Sequence, residues 1–196
     1  GYLYIVSLNG AQKQDFDRLY TALTDFADAP GLIIDVRGNA GGSEPLAREF
    51  ASCFIDAPRV YAKHVIRSPD APGGFTEPQE RIVRPDKTRP RYRGKVAVLT
   101  GPVVMSSCEA FVLMMKQVPG CILVGEPTQG SSGNPQPHEL GNGVTVLLPC
   151  WQALLPDGTC FEGIGIAPDI LVKVRPEQIN NEDPVINMAR RALTGK

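Results

Sequence analysis

The stretch Lys95-Val96-Ala97-Val98-Leu99-Thr100-Gly101-Pro102-Val103-Val104-Met105-Ser106-Ser107-Cys108-Glu109 decides the fold. Its first six residues are an apolar run of the kind that fills a buried strand. After the turn, Ala110, Phe111, Met114, Met115 and Val118 recur at the spacing of one helical face. A strand that turns sharply into a helix places Ser106 at the sheet edge, on the positive end of the helix. An oxyanion forming there meets free backbone N–H groups and a favourable dipole. That environment suits a nucleophilic serine. A second reading competes with it. Ser106-x-x-Glu109 is also a capping box, in which the serine only satisfies backbone donors.

Working outward, the same strand-turn pattern occurs upstream. Tyr2 to Leu8 reads as a strand, Phe16, Leu19, Leu23 and Phe26 mark an amphipathic helix closed by Pro30, and Gly31 to Val36 reads as a second buried strand. Strand, helix and strand in this order predict a parallel βαβ unit and an α/β fold. The loop that follows, Asp35 to Ser43, holds Gly38, Gly41 and Gly42. Glycines let a backbone approach a ligand closely and turn its N–H groups outward. The loop is a tight turn, a dinucleotide loop or half of an oxyanion hole. The second reading is weak because G-x-G-x-x-G is absent. The third requires the loop to meet Ser106 in space. A helix is expected over Glu44 to Phe54, capped by Ser43.

Further along, Arg59 to Arg67 and Glu80 to Arg84 read as strands outside the main core. Seven basic residues crowd into Arg81 to Lys95, interrupted by Pro85 and Pro90, and are expected to form a solvated loop. Cys121 to Gly125, Val144 to Leu148 and Gln152 to Leu155 read as strands, Glu126 to Pro135 as a loop of turn formers, and Pro184 to Leu193 as a final helix. Neither an internal repeat nor a second domain is visible, so the 196 residues are read as one domain. Hydrophobic residues make up 42%, enough for a core. The 20 Lys plus Arg nearly balance the 21 Asp plus Glu, which argues against nucleic acid as a partner. No apolar run approaches membrane-spanning length, and no signal peptide opens the chain. The five cysteines form no C-x-x-C, so neither a metal site nor a disulfide framework is expected, although Cys150 and Cys160 could meet across a hairpin.

Four segments carry a family resemblance: D-V-R-G-N-A-G-G (35–42), the serine turn (106–109), G-E-P-T-Q-G (125–130) and G-I-G-I-A-P-D (163–169). In this order and spacing the chain, from about Tyr2 to Val174, resembles the C-terminal processing, or tail-specific, serine proteases and their tricorn and retinoid-binding-protein relatives. The resemblance implies a ClpP/crotonase-like α/β core of ββα units. It also implies that Ser106 is the nucleophile and that the N–H groups of Ser107 and of Gly41 or Gly42 hold the oxyanion, which makes capping the minor role of Ser106. Donors of that kind are worth about 2.7–4 kcal/mol each in the transition state. No cofactor is implied, and the substrate would be a polypeptide.

One departure from the family pattern is chemical. The lysine-dependent branch carries its base in G-E-P-T-x-G-K-G, and here that position is Ser131. No lysine lies between Lys116 and Lys173. The tricorn-like branch instead uses a histidine ahead of a PDZ-like domain, with a glutamate just before G-x-x-P-D. Glu162 matches that glutamate and would orient the histidine directly or through a hydroxyl. The expectation is that the histidine and the PDZ-like domain lie upstream of residue 1, so that this chain is a catalytic-core fragment. His64 and His138 are read as surface or core residues rather than as the base. Three functions follow: a serine endopeptidase domain, a protease-like module that binds peptides or hydrophobic ligands without catalysis, and an acyl-CoA enzyme of the crotonase type. The last explains neither Ser106 nor the Pro168-Asp169 segment. An extracytoplasmic location is expected from bacterial members of the family.

Overall fold

A computed structural model describes residues 1–9, 13–174 and 182–195. The elements in order are β1 (Tyr2–Tyr4), α1 (Lys13–Asp25), β2 (Leu32–Asp35), α2 (Glu44–Ala51), β3 (Arg59–Ile66), β4 (Gln79–Val83), β5 (Val96–Thr100), α3 (Ser107–Met115), β6 (Ile122–Gly125), β7 (Pro135–Glu139), β8 (Thr145–Pro149), β9 (Trp151–Leu154), β10 (Ile170–Leu171) and α4 (Pro184–Thr194). Five strands form one sheet in the order β1-β2-β5-β6-β10, every pairing parallel.

Residue alternation along the strands sorts the core. Leu32 and Ile34 on β2, and Val96 and Val98 on β5, face a large apolar cluster shared with Phe16, Phe50 and Phe111 of α1, α2 and α3. Ile33, Ala97 and Leu99 face the other side, where Val185, Ala189 and Leu193 of α4 cover them. Strands covered on both faces need apolar residues at every position, which is why these runs are continuous rather than alternating. Full burial of each such Leu, Ile or Phe contributes about 1.5–3 kcal/mol.

A second sheet, β4-β3-β9, is antiparallel, and β7 pairs with β8 in a separate hairpin. Two expectations need correction, the first strand and the basic run, and two open points are settled. The strand read over Tyr2 to Leu8 stops at Tyr4, although Ile5 N still donates to Asp35 O and Leu8 bridges to Gly42. The turn-rich segment is a loop up to residue 134, and β7 then starts at Pro135, held by its pairing with β8 despite the prolines. The basic run is a loop from residue 84 to residue 95, with Arg84, Lys87 and Arg93 exposed, but its first residues belong to β4 and several of its cations are held by other elements. Arg81 lies in β4 and pairs with Glu44, Arg89 pairs with Glu49 and lies 4.3 Å over the Tyr20 ring, and Lys95 Nζ donates to Leu193 O at 3.1 Å. Each of those cations found an acceptor on another element, which sequence spacing does not reveal. Cys150 and Cys160 do not pair, and all five cysteines are free thiols.

Candidate active site

The parallel register brings the carboxyl ends of three strands level: Asp35 lies opposite Leu99, and Thr100 opposite Gly125. The loops after β2, β5 and β6 therefore leave the sheet side by side, and in open α/β sheets this is where ligands bind.

The loop after β2 is built on two side chains. Asp35 accepts from Arg37 N at 3.1 Å, Arg37 Nε at 2.9 Å and Tyr2 Oη at 2.8 Å, and Arg37 also bridges to Asp183 at 2.7 Å. These bonds to Asp35 and Asp183 push the Arg37 guanidinium well above its ordinary range. Asn39, fully buried, donates to Ile5 O at 2.9 Å and accepts from Gly41 N at 2.8 Å. The Gly41 N–H is thus committed, whereas the Gly42 N–H has no partner among the described residues. Both glycines have positive φ, 103° and 137°. A Cβ on Gly41 would lie 2.8 Å from the Ser106 Cβ and 3.0 Å from Met105 O, so the loop and the serine turn are in contact.

Ser106 has φ 54° and ψ −131°, a conformation that non-glycine residues adopt at a cost of about 1–3 kcal/mol. Neighbouring bonds hold it there. Its N–H donates to Ser131 O at 2.7 Å, and its carbonyl accepts from Glu109 N at 2.9 Å. Its hydroxyl makes no capping bond. Ser107 Oγ donates to Gly42 O at 2.8 Å, tying the two loops together. The Ser107 N–H, at the first position of α3, is unpaired. Two free N–H groups, from Gly42 and Ser107, therefore belong to residues in contact beside a free hydroxyl.

Glu109 does not complete a capping box. It is fully buried and accepts four hydrogen bonds: Thr128 Oγ1 at 2.6 Å, Gly130 N at 2.6 Å, Ser131 N at 2.9 Å and Ser132 Oγ at 2.7 Å. It anchors the loop after β6 beneath the serine turn. Sequence reasoning missed this role, but a signal existed. Cys108 to Met115 is apolar except for Glu109, a helix apolar on all sides is buried, and a buried carboxylate must be partnered.

Glu162 lies one residue behind the cleft. Its Oε2 accepts from Ser132 N at 3.1 Å and its Oε1 from Ala153 N at 3.4 Å. Burial raises its carboxyl above the ordinary value, opposed by these two bonds. Ser132 thus joins both acids, through its N–H to Glu162 and its hydroxyl to Glu109.

A cleft of about 430 Å³ opens between Ser106, Gly42, Arg48, Arg81, Ser132 and Trp151. Among the described residues neither a histidine nor a lysine lines it. His64, on β3, stacks on Trp151 with ring centroids 5.1 Å apart, and its Nε2 meets Gln79 Oε1 at 3.1 Å. Burial, with Arg81 nearby, lowers its pKa. His138 is exposed on β7. Ser131 is exposed at the surface of the loop. Among the described residues no His, Cys, Asp and Glu group suits a metal ion, and no helix is long and apolar enough to cross a membrane.

Residues 1–172 match the family described as Peptidase family S41. The chain is 25% identical over 173 residues to the carboxy-terminal processing protease CtpB of Bacillus subtilis, covering 88% of this chain and 34% of that protein. It is 26% identical over 196 residues to the tricorn protease of Thermoplasma acidophilum, covering 98% of this chain and 16% of that one. The chain therefore spans about a third or less of these relatives. A crystal structure of a candidate peptidase from Parabacteroides merdae superposes with TM-score 0.88 at 30% identity, covering 99% of this chain and 61% of that one. Mature CPAF complexed with lactacystin superposes with TM-score 0.85 at 17% identity, covering 100% of this chain and 52% of that one, a likeness of fold.

Proposed function

The chain belongs to peptidase family S41, and from that premise we propose that it is the nucleophile-bearing core of a serine endopeptidase. Ser106 attacks the peptide carbonyl, and the N–H groups of Gly42 and Ser107 receive the oxyanion. The observation that carries this reading is the free Ser106 hydroxyl, held at positive φ against a glycine loop whose Gly42 N–H is also free. Gly41 supports the hole by its close approach, since its own N–H is bound to Asn39. Asn39 and Glu109 fix the two halves of the site, so the donors need no reorganisation as charge develops.

A serine hydroxyl needs a base, and the described lining residues offer neither His nor Lys. The base is a histidine outside residues 1–196, oriented by Glu162. The substrate is a polypeptide, and the isolated chain turns over slowly or not at all. Fluorophosphonate labelling tests this. The isolated chain is expected to label slowly at Ser106, and a longer chain with its upstream residues quickly. Rapid labelling of the isolated chain, abolished by His138→Ala, would instead make His138 the base. The missing base also favours a second reading, a peptide-binding module without catalysis. Failure of the longer chain to label while it binds peptides would establish that reading.

A further inference from the structure

We infer that the cleft selects an anionic group on the substrate, close to the scissile bond, and that Arg48 recognises it. The inference rests on the peptidase reading of Ser106, because it assigns the space beside that serine to substrate. Among the described residues three charged ones line the cleft: Glu44, Arg48 and Arg81. Glu44 and Arg81 neutralise each other. The Glu44 Oε1 accepts from Tyr61 Oη and its Oε2 from Arg81, so both carboxylate oxygens are committed. Arg81 is further held over the Trp151 ring, 4.9 Å from its centroid, and its side chain is only 17% exposed. That pair is a wall of the cleft.

Arg48 differs from it. It stands one helical turn after Glu44 on the same face of α2. Its side chain is exposed, and its guanidinium has neither a hydrogen bond nor an ion pair among the described residues. Arg48 also borders a second hollow with Glu49 and Asp86, where Glu49 pairs with Arg89 and Asp86 accepts from Thr88. The two acids behind the cleft are occupied as well. Glu109 is buried under four donors, and Glu162 points to the N–H groups of Ser132 and Ala153. The lining therefore carries one uncompensated positive charge. A guanidinium matches a carboxylate fork to fork, whereas it repels a Lys or Arg side chain. The cleft is at the small end of ligand pockets, so the anion belongs to a residue next to the reacting carbonyl or to a chain end within that reach. Glu, Asp and a terminal carboxylate share this chemistry. Because Arg48 is exposed, the preference is modest, about 2–5-fold, and weakens with salt.

The test separates binding from turnover. The 196-residue chain carrying Ser106→Ala is titrated against fluorescent octapeptides of alanine and leucine. Each peptide carries a single Glu, Gln or Lys at each position in turn, with a free or an amidated end. Amidated Glu peptides should bind about 2–5-fold tighter than their Gln counterparts at one or two positions, and Lys peptides weaker. Adding Arg48→Gln should erase that ratio, and Arg48→Glu should invert it toward Lys. A preference that follows the free end alone would make the terminal carboxylate the anion. Equal binding of all the peptides, no binding at all, or a ratio untouched by Arg48→Gln would overturn the inference. If the Glu preference holds while the longer protein cleaves nothing, the peptidase reading falls and the anion site stands. If that protein cleaves Glu and Gln peptides equally, the peptidase reading stands and the anion site falls.

Discussion

Ser106 is held in a conformation that its own side chain does nothing to stabilise. The strain is offset by its neighbours, so removing the hydroxyl should leave the fold alone. Ser106→Ala is expected to lower turnover of the longer protein by at least about 10⁴-fold with an unchanged melting temperature. Glu109 behaves in the opposite way. Glu109→Ala would leave two backbone N–H groups and two hydroxyls without their buried acceptor. The expected loss is at least about 3 kcal/mol in urea unfolding, because unsatisfied buried groups cost about 1–3 kcal/mol each. Glu162 gives a pH signature. Its folded carboxyl is raised above the ordinary 4.5, so the folded chain binds that proton more tightly than the unfolded chain. Its contribution is fully present below about pH 4.5 and is lost as pH rises through the folded value. Glu162→Gln cannot ionise, so its stability relative to the parent should rise from about pH 4 to about pH 7. Urea midpoints at the two pH values check the sign. In the longer protein the same substitution should lower turnover, and unchanged turnover would reduce Glu162 to a structural acid.

At the scale of elements, the site is a contact between two loops with no room for a methyl group. A Cβ at Gly42 would lie 2.4 Å from the Leu8 carbonyl carbon, and one at Gly41 2.8 Å from the Ser106 Cβ, both at positive φ. Gly41→Ala should therefore separate the glycine loop from the serine turn. We expect a loss of about 1–3 kcal/mol from backbone strain, and loss of Ser106 labelling in the longer protein. Labelling at the parent rate would show that the close approach is dispensable. The loop after β6 is the third partner of this contact. Ser131 O receives the Ser106 N–H, and Glu109 receives the N–H groups of Gly130 and Ser131. Its turn-forming composition thus supplies backbone donors to a buried acid as well as a change of direction.

At the scale of the molecule, one parallel sheet covered by helices on both faces supplies the alignment, and a second sheet supplies a cleft wall through Arg81 and Trp151. Cohesion comes from apolar burial and cross-element ion pairs, with no disulfide among the five cysteines. Burial raises the thiols of Cys53 and Cys121 to about 12, which keeps them protonated and slow to react. The melting temperature should accordingly be the same with and without dithiothreitol. A fall on reduction would reveal a bridge that this fold does not contain.

Local pattern determined four of the five strands of the main sheet and its covering helices, but not β10, two residues long. Continuous apolar runs at β2 and β5 could only be strands buried on both faces, and the glycine loop and serine turn stood at their ends in the sequence itself. Motif order also put Ser106, Gly41, Gly42, Ser107 and Glu162 forward as candidates. Tertiary structure decided what depends on distance across the chain. Which glycine N–H is free turned on Asn39, two residues before Gly41, and on its bond to Ile5 O, just past β1. The partner of Glu109 lay not at its own helix end but some twenty residues on, in a loop brought beneath it by β6. Arg81, Arg89 and Lys95 of the basic run found acceptors on α2 and α4, so a stretch that reads as solvated loop also clamps those helices. Periodicity along the chain reports which face of an element is buried. It is blind to which polar groups meet there, because those pairings form between segments that only the packed sheet brings together.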